Sequence, residues 1–492
     1  MIRALSSRAT AAAAIFAICI FASASSAQRP VVPTGSDIVE QRAFARNQLA
    51  SVIRLYDEHL RIGMTGQYRD FARLNNELQE SPRSSIASTG IGLISLTIGD
   101  RLGVIEGADE KAVITLANLL GKAGDSEFKP LRSKSGWYQH FIDGYTGEAI
   151  GGSKDVFSTI DTAILGVGAH YVASYFATLP GEKAKEAAEL GRELVETINW
   201  SQAIRFDRNP GVHQVFRGPK ELTEDRWWSL LFDEYVLLPC LGRAHEARLG
   251  HNGPATTFWN AYVDDGSNLP QTEFGNFTVL GPSATRHVSH FAPQFAFYFC
   301  GDLADKPAFV AELNELKAAD KHFFSKLGEG AYPQRFWGLG AGSEIKFKKD
   351  APEGEKIKDY SGYGVARIGK NPNHTFSPAI IAGFLPTESA RTEKDGVINA
   401  SAQDPGPSEI IANLMELHNR DECRYRHEDL DFLWRCSAHD PKLRVEAVEG
   451  IDLSTYMLGL SWFLPEIGPK FFSDHSVKTQ DEGSEKVKNA QL

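Results

Sequence analysis

DTAILGVGAHYVASYFATL, residues Asp161 to Leu179, is followed after two residues by EKAKEAAELGRELVETI, Glu182 to Ile198. Both segments carry apolar positions near helical spacing. The same pattern recurs at Ile38 to Ile62, Lys111 to Ala123, Trp227 to Leu249 and Lys306 to Lys326. Between these helices lie loops rich in glycine and aromatics, Gly136 to Gly152 and Gly328 to Gly342 among them. Short β-type runs occur near Gly364 to Gly369, and residues 342–362 and 400–408 read as polar connectors. No fixed short repeat is present. Helix pairs joined by long loops, without a sustained β pattern, predict one large all-α domain. In such a domain the helices scaffold and the loops at one end carry the site.

The flanks read differently. Arg3 and Arg8 precede an apolar run, Ala11 to Ala22, and Ser25-Ser26-Ala27 offers small residues for cleavage. Residues 1–27 therefore read as a secretory signal peptide cut before Gln28. The run is too short for a membrane anchor, and no later stretch is long and apolar enough to span a bilayer. The expected location is periplasmic or secreted. Residues 28–38 read as a linker, 39–474 as the domain, and the charged stretch 475–492 as a disordered tail. The chain has 63 acidic against 52 basic residues and a formal charge of -11, with no basic cluster interleaved with aromatics. Nucleic acid is thus not an expected partner. Export permits disulfides. Cys240, Cys300, Cys423 and Cys436 allow several pairings, with Cys423 and Cys436 the nearest pair, or four buried free thiols. No zinc spacing is present and no cofactor is expected. A monomer is expected.

The candidate chemistry lies in carboxylates set among apolar residues. Leu231 to Leu238, LFDEYVLL, puts Asp233 and Glu234 in an otherwise apolar helical run. A carboxyl in such surroundings tends to keep its proton, as a general acid must. The plainer alternative is a helix-packing accident with Arg226 or Arg243 as the partner. Asp452 sits in the apolar run Val445 to Leu460, where an unpaired carboxylate is costly. Asp161 follows Ser158 and Thr159, which also suit helix capping. The aromatics Trp137, Tyr138, Trp227, Trp228, Phe336, Trp337, Tyr360 and Tyr363 suit stacking on pyranose rings, or simply core filling. His287 and His290 are three apart and can share a helix face. For Arg335 the alternatives are a substrate contact and a structural salt bridge.

Several of these segments resemble one family. Ser84 to Gly90, Gly136 to Asp143 (GWYQHFID), Ser158 to Ala163 (STIDTA), Phe232-Asp233-Glu234, His287 to His290, Tyr332 to Leu339 (YPQRFWGL), Ser377 to Ala379 and Gly450-Ile451-Asp452 occur in order. They are similar to motifs of the glycoamylase-like family that includes bacterial endo-β-1,2-glucanases. The resemblance spans roughly residues 80–460. It implies a six-hairpin (α/α)6 barrel, a toroid with long active-site loops, and a glycoside hydrolase cleaving β-glucan, most often β-1,2-linked. It implies endo action with inversion, Glu234 as acid and Asp452 as base. Some members relay protons through a substrate hydroxyl or a water chain, so carboxylate spacing is a weaker guide than usual. The implied substrate contacts are Asp161, Trp137, Tyr138, His140, His287, His290, Arg335 and Trp337. The chain departs from the pattern at Val156, at Leu453-Ser454-Thr455 after Asp452, at Phe232, and in a long insertion from Gly250 to Ser283. These departures leave room for a transglycosylase, a hydrolase of another linkage, or a non-catalytic glycan-binding envelope protein.

Overall fold

The computed structural model describes residues 37–74, 79–151, 156–206, 210–218, 220–223, 228–229, 232–264, 269–281, 286–328, 332–346, 359–389 and 406–479. The expected signal peptide, nearly all of the expected linker, and residues 480–492 lie outside these. Helices dominate, and they are of two kinds. Ile86–Leu102, Thr159–Phe176, Phe291–Phe299, Pro378–Gly383 and Gly450–Phe463 are buried almost all the way round. Helices such as Glu182–Glu196 bury one stripe, here Ala184, Ala187, Ala188, Leu190, Gly191, Leu194 and Val195. The first kind is an interior helix and the second an amphipathic cover.

The buried helices form a closed circuit. Ile86–Leu102 packs on Thr159–Phe176, which packs on Leu237–Arg248. The turn leading into Leu237–Arg248 meets Phe291–Phe299, which touches Pro378–Gly383 and Gly450–Phe463. Gly450–Phe463 closes the circuit on Ile86–Leu102. Small residues make the tight crossings. A Cβ on Gly168 would lie 2.1 Å from the carbonyl oxygen of Gly90, and one on Gly459 would lie 2.1 Å from that of Ala382. Covering helices alternate with buried ones along the chain: Asp37–Arg54, Ala108–Leu119, Glu182–Glu196, Pro254–Tyr262, Pro307–Lys326 and Glu409–Asn419.

The loops hold more strand than the sequence predicts. Short strands form small antiparallel sheets, the largest joining Leu222–Thr223, Val215–Arg217, Val156–Ser158 and Tyr138–Gln139. Several launch a buried helix directly: Arg83–Ser85 before Ile86, Val156–Ser158 before Thr159, and Ala447–Glu449 before Gly450. Each is two or three residues long, too short to leave a period-two signal. The expected polar connector 342–362 is partly a hairpin, Ala341–Lys346 against Asp359–Val365. The expected helix Trp227 to Leu249 begins only at Leu237, after a strand at Trp228–Ser229 and a 3-10 turn at Glu234–Val236. Order also extends into the stretch expected to be a tail. Val477 bridges to Cys300, and Thr479 donates to Asp302. Two disulfides are present, Cys423–Cys436 and Cys240–Cys300.

Candidate active site

The strand-to-helix junctions set their acids in first turns. At one junction Ser158 caps the helix Thr159–Phe176 and hydrogen-bonds the Asp161 carboxylate. Nδ1 of His140 meets the same Asp161 oxygen. Asp161 is buried, and His140 is partly open to solvent. Burial alone would depress the His140 pKa, but the Asp161 charge and hydrogen bond, with Asp70 behind them, raise it overall. Asp70 is itself pushed upward by burial, against the pull of Arg83 at 3.2 Å.

At a second junction Asp233 caps the turn Glu234–Val236, its Oδ1 accepting from Tyr235 N at 3.0 Å. Glu234 thus opens the helix rather than sitting within it. Its pKa is pushed up to about 8, first by burial and then by the charges of Asp233, Asp161 and Asp452. A carboxyl held there is protonated at neutral pH.

The third junction carries Glu449 at the end of the strand Ala447–Glu449 and Asp452 in the first turn of the helix Gly450–Phe463. Asp452 Oδ1 accepts from the Tyr363 hydroxyl at 3.1 Å, while Oδ2 is buried with no hydrogen-bond partner among the described residues. Burial raises the Asp452 pKa to about 7, moderated by Arg435 and the Tyr363 bond. Glu449 accepts from Ser343 N at 3.1 Å and from the Ser343 hydroxyl, and burial followed by Asp452 raises it to about 8. Glu234 thus feels the charges of Asp161 and Asp452, each from a different helix. Chemically, the site offers one carboxyl that holds a proton and another that releases one near neutrality.

No family model matches the sequence, and no curated protein matches it. Solved structures do match. An endo-β-1,2-glucanase from Chitinophaga pinensis, in complex with sophorotriose and glucose, aligns over 88% of this chain and 94% of its own with a TM-score of 0.61 and 15% identity. An endo-β-1,2-glucanase from Talaromyces funiculosus, in complex with sophorose, aligns over 93% and 89% with a TM-score of 0.59 and 10% identity. A Bacteroides caccae protein, assigned provisionally as a glucoamylase, aligns over 89% and 96% with a TM-score of 0.65 and 15% identity. The chain shares their fold.

Within this shared fold, the residues expected at the site divide. Asp161, His140, Glu234 and Asp452 come together. Trp137 and Tyr138 do not join them: both are wholly buried. The Trp137 indole donates to Gln202 at 3.0 Å and packs on Trp200 and Phe216, while the Tyr138 hydroxyl donates to Leu119 O at 3.0 Å. They fill the core. His290 is also wholly buried, with Nδ1 2.9 Å from Asp320. Asp320 in turn accepts from Gly338 N and Leu339 N at 3.2 and 3.0 Å, so this pair holds the loop after Phe336. His287 packs edge-on against Phe274, with its pKa lowered by burial and by His290. Arg335 is held by Glu422, at 2.7 and 3.0 Å, in a bidentate salt bridge. Arg335 and the buried Trp337 line a groove of about 600 Å³ whose walls include none of the three carboxylates. In this arrangement His290 and Arg335 are engaged by partners within the protein. Trp227 and Arg226 lie outside the described residues, and Arg243 pairs with Asp302 rather than with Glu234.

Sequence reading missed Asp70, Glu449 and the hydroxyl role of Tyr363. Glu449 had a usable signal, as one of two further acids, with Glu446, in the same apolar run as Asp452. The other two had none, because each is brought in by a short strand or loop without periodicity.

Proposed function

We propose that the chain is an endo-acting glycoside hydrolase that cleaves β-1,2-glucan with inversion, on a six-hairpin (α/α)6 barrel. The observation that carries this reading is the meeting of Asp161, Glu234 and Asp452 at the first turns of three helices, with Glu234 protonated at neutral pH. The likeness in fold to two endo-β-1,2-glucanases supports the choice of glucan. The alternation of buried and covering helices, with the buried set closed on itself, supports the barrel.

Glu234 gives its proton to the glycosidic oxygen as the C1–O bond breaks. Asp452, ionised, takes a proton from the water whose oxygen bonds to C1 from the opposite face. The reaction leaves Glu234 as carboxylate and Asp452 as acid, and exchange with solvent restores both. His140 and Asp161, hydrogen-bonded to each other, face the substrate. The two disulfides support a periplasmic or secreted location, where such bonds persist. Among the described residues no helix is long and apolar enough to cross a membrane.

Incubation with linear β-1,2-glucan, followed at once by proton NMR, tests the reading. Oligosaccharides released first as α-anomers are expected. Release of β-anomers would reject inversion, and turnover confined to another glucan would reject the linkage.

A further inference from the structure

The hairpin Ala341–Lys346/Asp359–Val365 pairs Ser343 directly with Tyr363. Residues paired across an antiparallel ladder point to the same face. Here that face reads the start of the helix Gly450–Phe463 at two points. Ser343 grips Glu449 through its backbone N–H and its hydroxyl. Tyr363 donates its hydroxyl to Asp452 Oδ1 at 3.1 Å. Glycines allow this close approach. A Cβ on Gly342 would come within 3.1 Å of Glu449 Oε2 and 3.0 Å of Arg435 Cδ, and one on Gly364 would strike the Glu344 carboxyl at 2.4 Å.

Tyr363 is also 56% exposed, although its hydroxyl ends on a buried carboxyl. An aromatic ring open to solvent but pinned at its tip has a fixed face, and such a face costs little further entropy when a sugar stacks on it. The hydroxyl occupies one oxygen of Asp452 and leaves Oδ2 without a hydrogen-bond partner among the described residues. A general base needs that division, one oxygen oriented and one unengaged, to which the attacking water must be admitted.

We propose that Tyr363 serves the site from both ends: its ring is a stacking platform for the glucosyl unit beside the bond to be cleaved, and its hydroxyl positions Asp452. This rests on the reading of Asp452 as the base. The hydroxyl also favours the ionised form of Asp452. The other groups around Asp452 are Arg435, Asp70, Glu449, Glu234 and Tyr56, whose hydroxyl donates to Gly450 O. They remain in place when Tyr363 is changed.

Two variants separate the roles. Tyr363→Phe keeps the ring and loses the hydroxyl. KM for β-1,2-glucan should stay within about twofold, while kcat falls by roughly 10-fold or more, the scale of a hydrogen bond to a charged group. The acid limb of its pH profile should move to higher pH. Tyr363→Leu loses both ends, so KM should rise as well, by roughly 10-fold, the scale of one stacking contact. Unchanged kcat and acid limb in Tyr363→Phe would overturn the positioning role. Unchanged KM in Tyr363→Leu would overturn the platform. A readout without turnover is the carboxyl 13C titration of Asp-labelled protein, wild type against Tyr363→Phe. An upward shift of one aspartate, absent in an Asp452→Asn background, supports the positioning role even if no glucan is hydrolysed. Absence of hydrolysis would refute the hydrolase reading and leave the positioning of Asp452 by Tyr363 standing, whereas no shift would refute that positioning.

Discussion

Glu234 owes its hold on a proton first to burial and next to the adjacent Asp233 charge. Each cause can be removed separately. Glu234→Gln keeps the shape and deletes the transferable proton, so turnover should fall by at least about 10²-fold while glucan affinity persists. Asp452→Asn should fall comparably. Asp233→Asn should cost less, because that side chain faces Tyr235 N as a cap. It should nevertheless lower the Glu234 pKa by removing a like charge, so the basic limb of the pH–rate profile moves to lower pH. In the wild type, activity should rise as the Asp452 group ionises near 7 and fall as the Glu234 group does near 8. As coupled groups, they will show these as properties of the set rather than of single residues. A pH–rate series on the wild type and the three variants checks all of this. Reading LFDEYVLL as two carboxylates among apolar residues picked out Glu234, the buried carboxyl proposed here as the acid. It could not tell Trp137 from a sugar platform, since an indole in a core and one in a cleft have the same neighbours in sequence.

The crossing of Ile86–Leu102 with Thr159–Phe176 depends on Gly90 and Gly168, where backbone meets backbone. In an exposed helix Gly→Ala gains about 1 kcal/mol from propensity. At Gly168 the new methyl would lie 2.1 Å from a carbonyl oxygen that cannot swing aside. Overpacking of this kind costs about 1–3 kcal/mol, so Gly168→Ala should lower the melting temperature. Gly63, where an added Cβ would meet nothing within 4 Å, is the control, and Gly63→Ala should be neutral or slightly stabilising. Thermal denaturation of both variants decides. The helices themselves were legible from spacing, Asp161 to Leu179 above all. Their starting points were less so. The strand Val156–Ser158 pairs with Val215–Arg217, more than fifty positions away, and the turn at Glu234 follows its cap at Asp233. Such partners are set by tertiary contact, which local periodicity does not record.

Taken together, the buried titratable groups predict how stability varies with pH. His170 and His475 have pKa values lowered to about 4 by burial, so their contribution grows with pH up to their ordinary 6.5 and is then constant. Glu234, Asp452 and Glu449 have values raised to about 7 or 8, so theirs is full below their ordinary values of 3.8 to 4.5 and is lost as pH climbs from there through 8. From pH 6.5 to 8 the carboxyls act unopposed by these histidines, and the melting temperature should fall. Glu234→Gln removes one of the three, so its curve should be shallower and its stability at pH 8 higher than that of the wild type. The disulfide Cys240–Cys300 closes a loop of 60 residues, and its removal should cost about 2–4 kcal/mol, read as a lower denaturant midpoint. The circuit also imposes an order of events on a chain made from one end to the other. The Tyr456 hydroxyl reaches Gln48 at 2.8 Å, and Gln48 reaches Asp431 O at 2.9 Å, so the first covering helix completes its contacts only against the last buried one. A growing chain therefore carries uncovered apolar flanks on Asp37–Arg54 and Ile86–Leu102 until nearly all of it has been synthesised. Such a chain needs a holding chaperone rather than early folding, and a polypeptide stopped at Glu449 should aggregate rather than yield a smaller native protein.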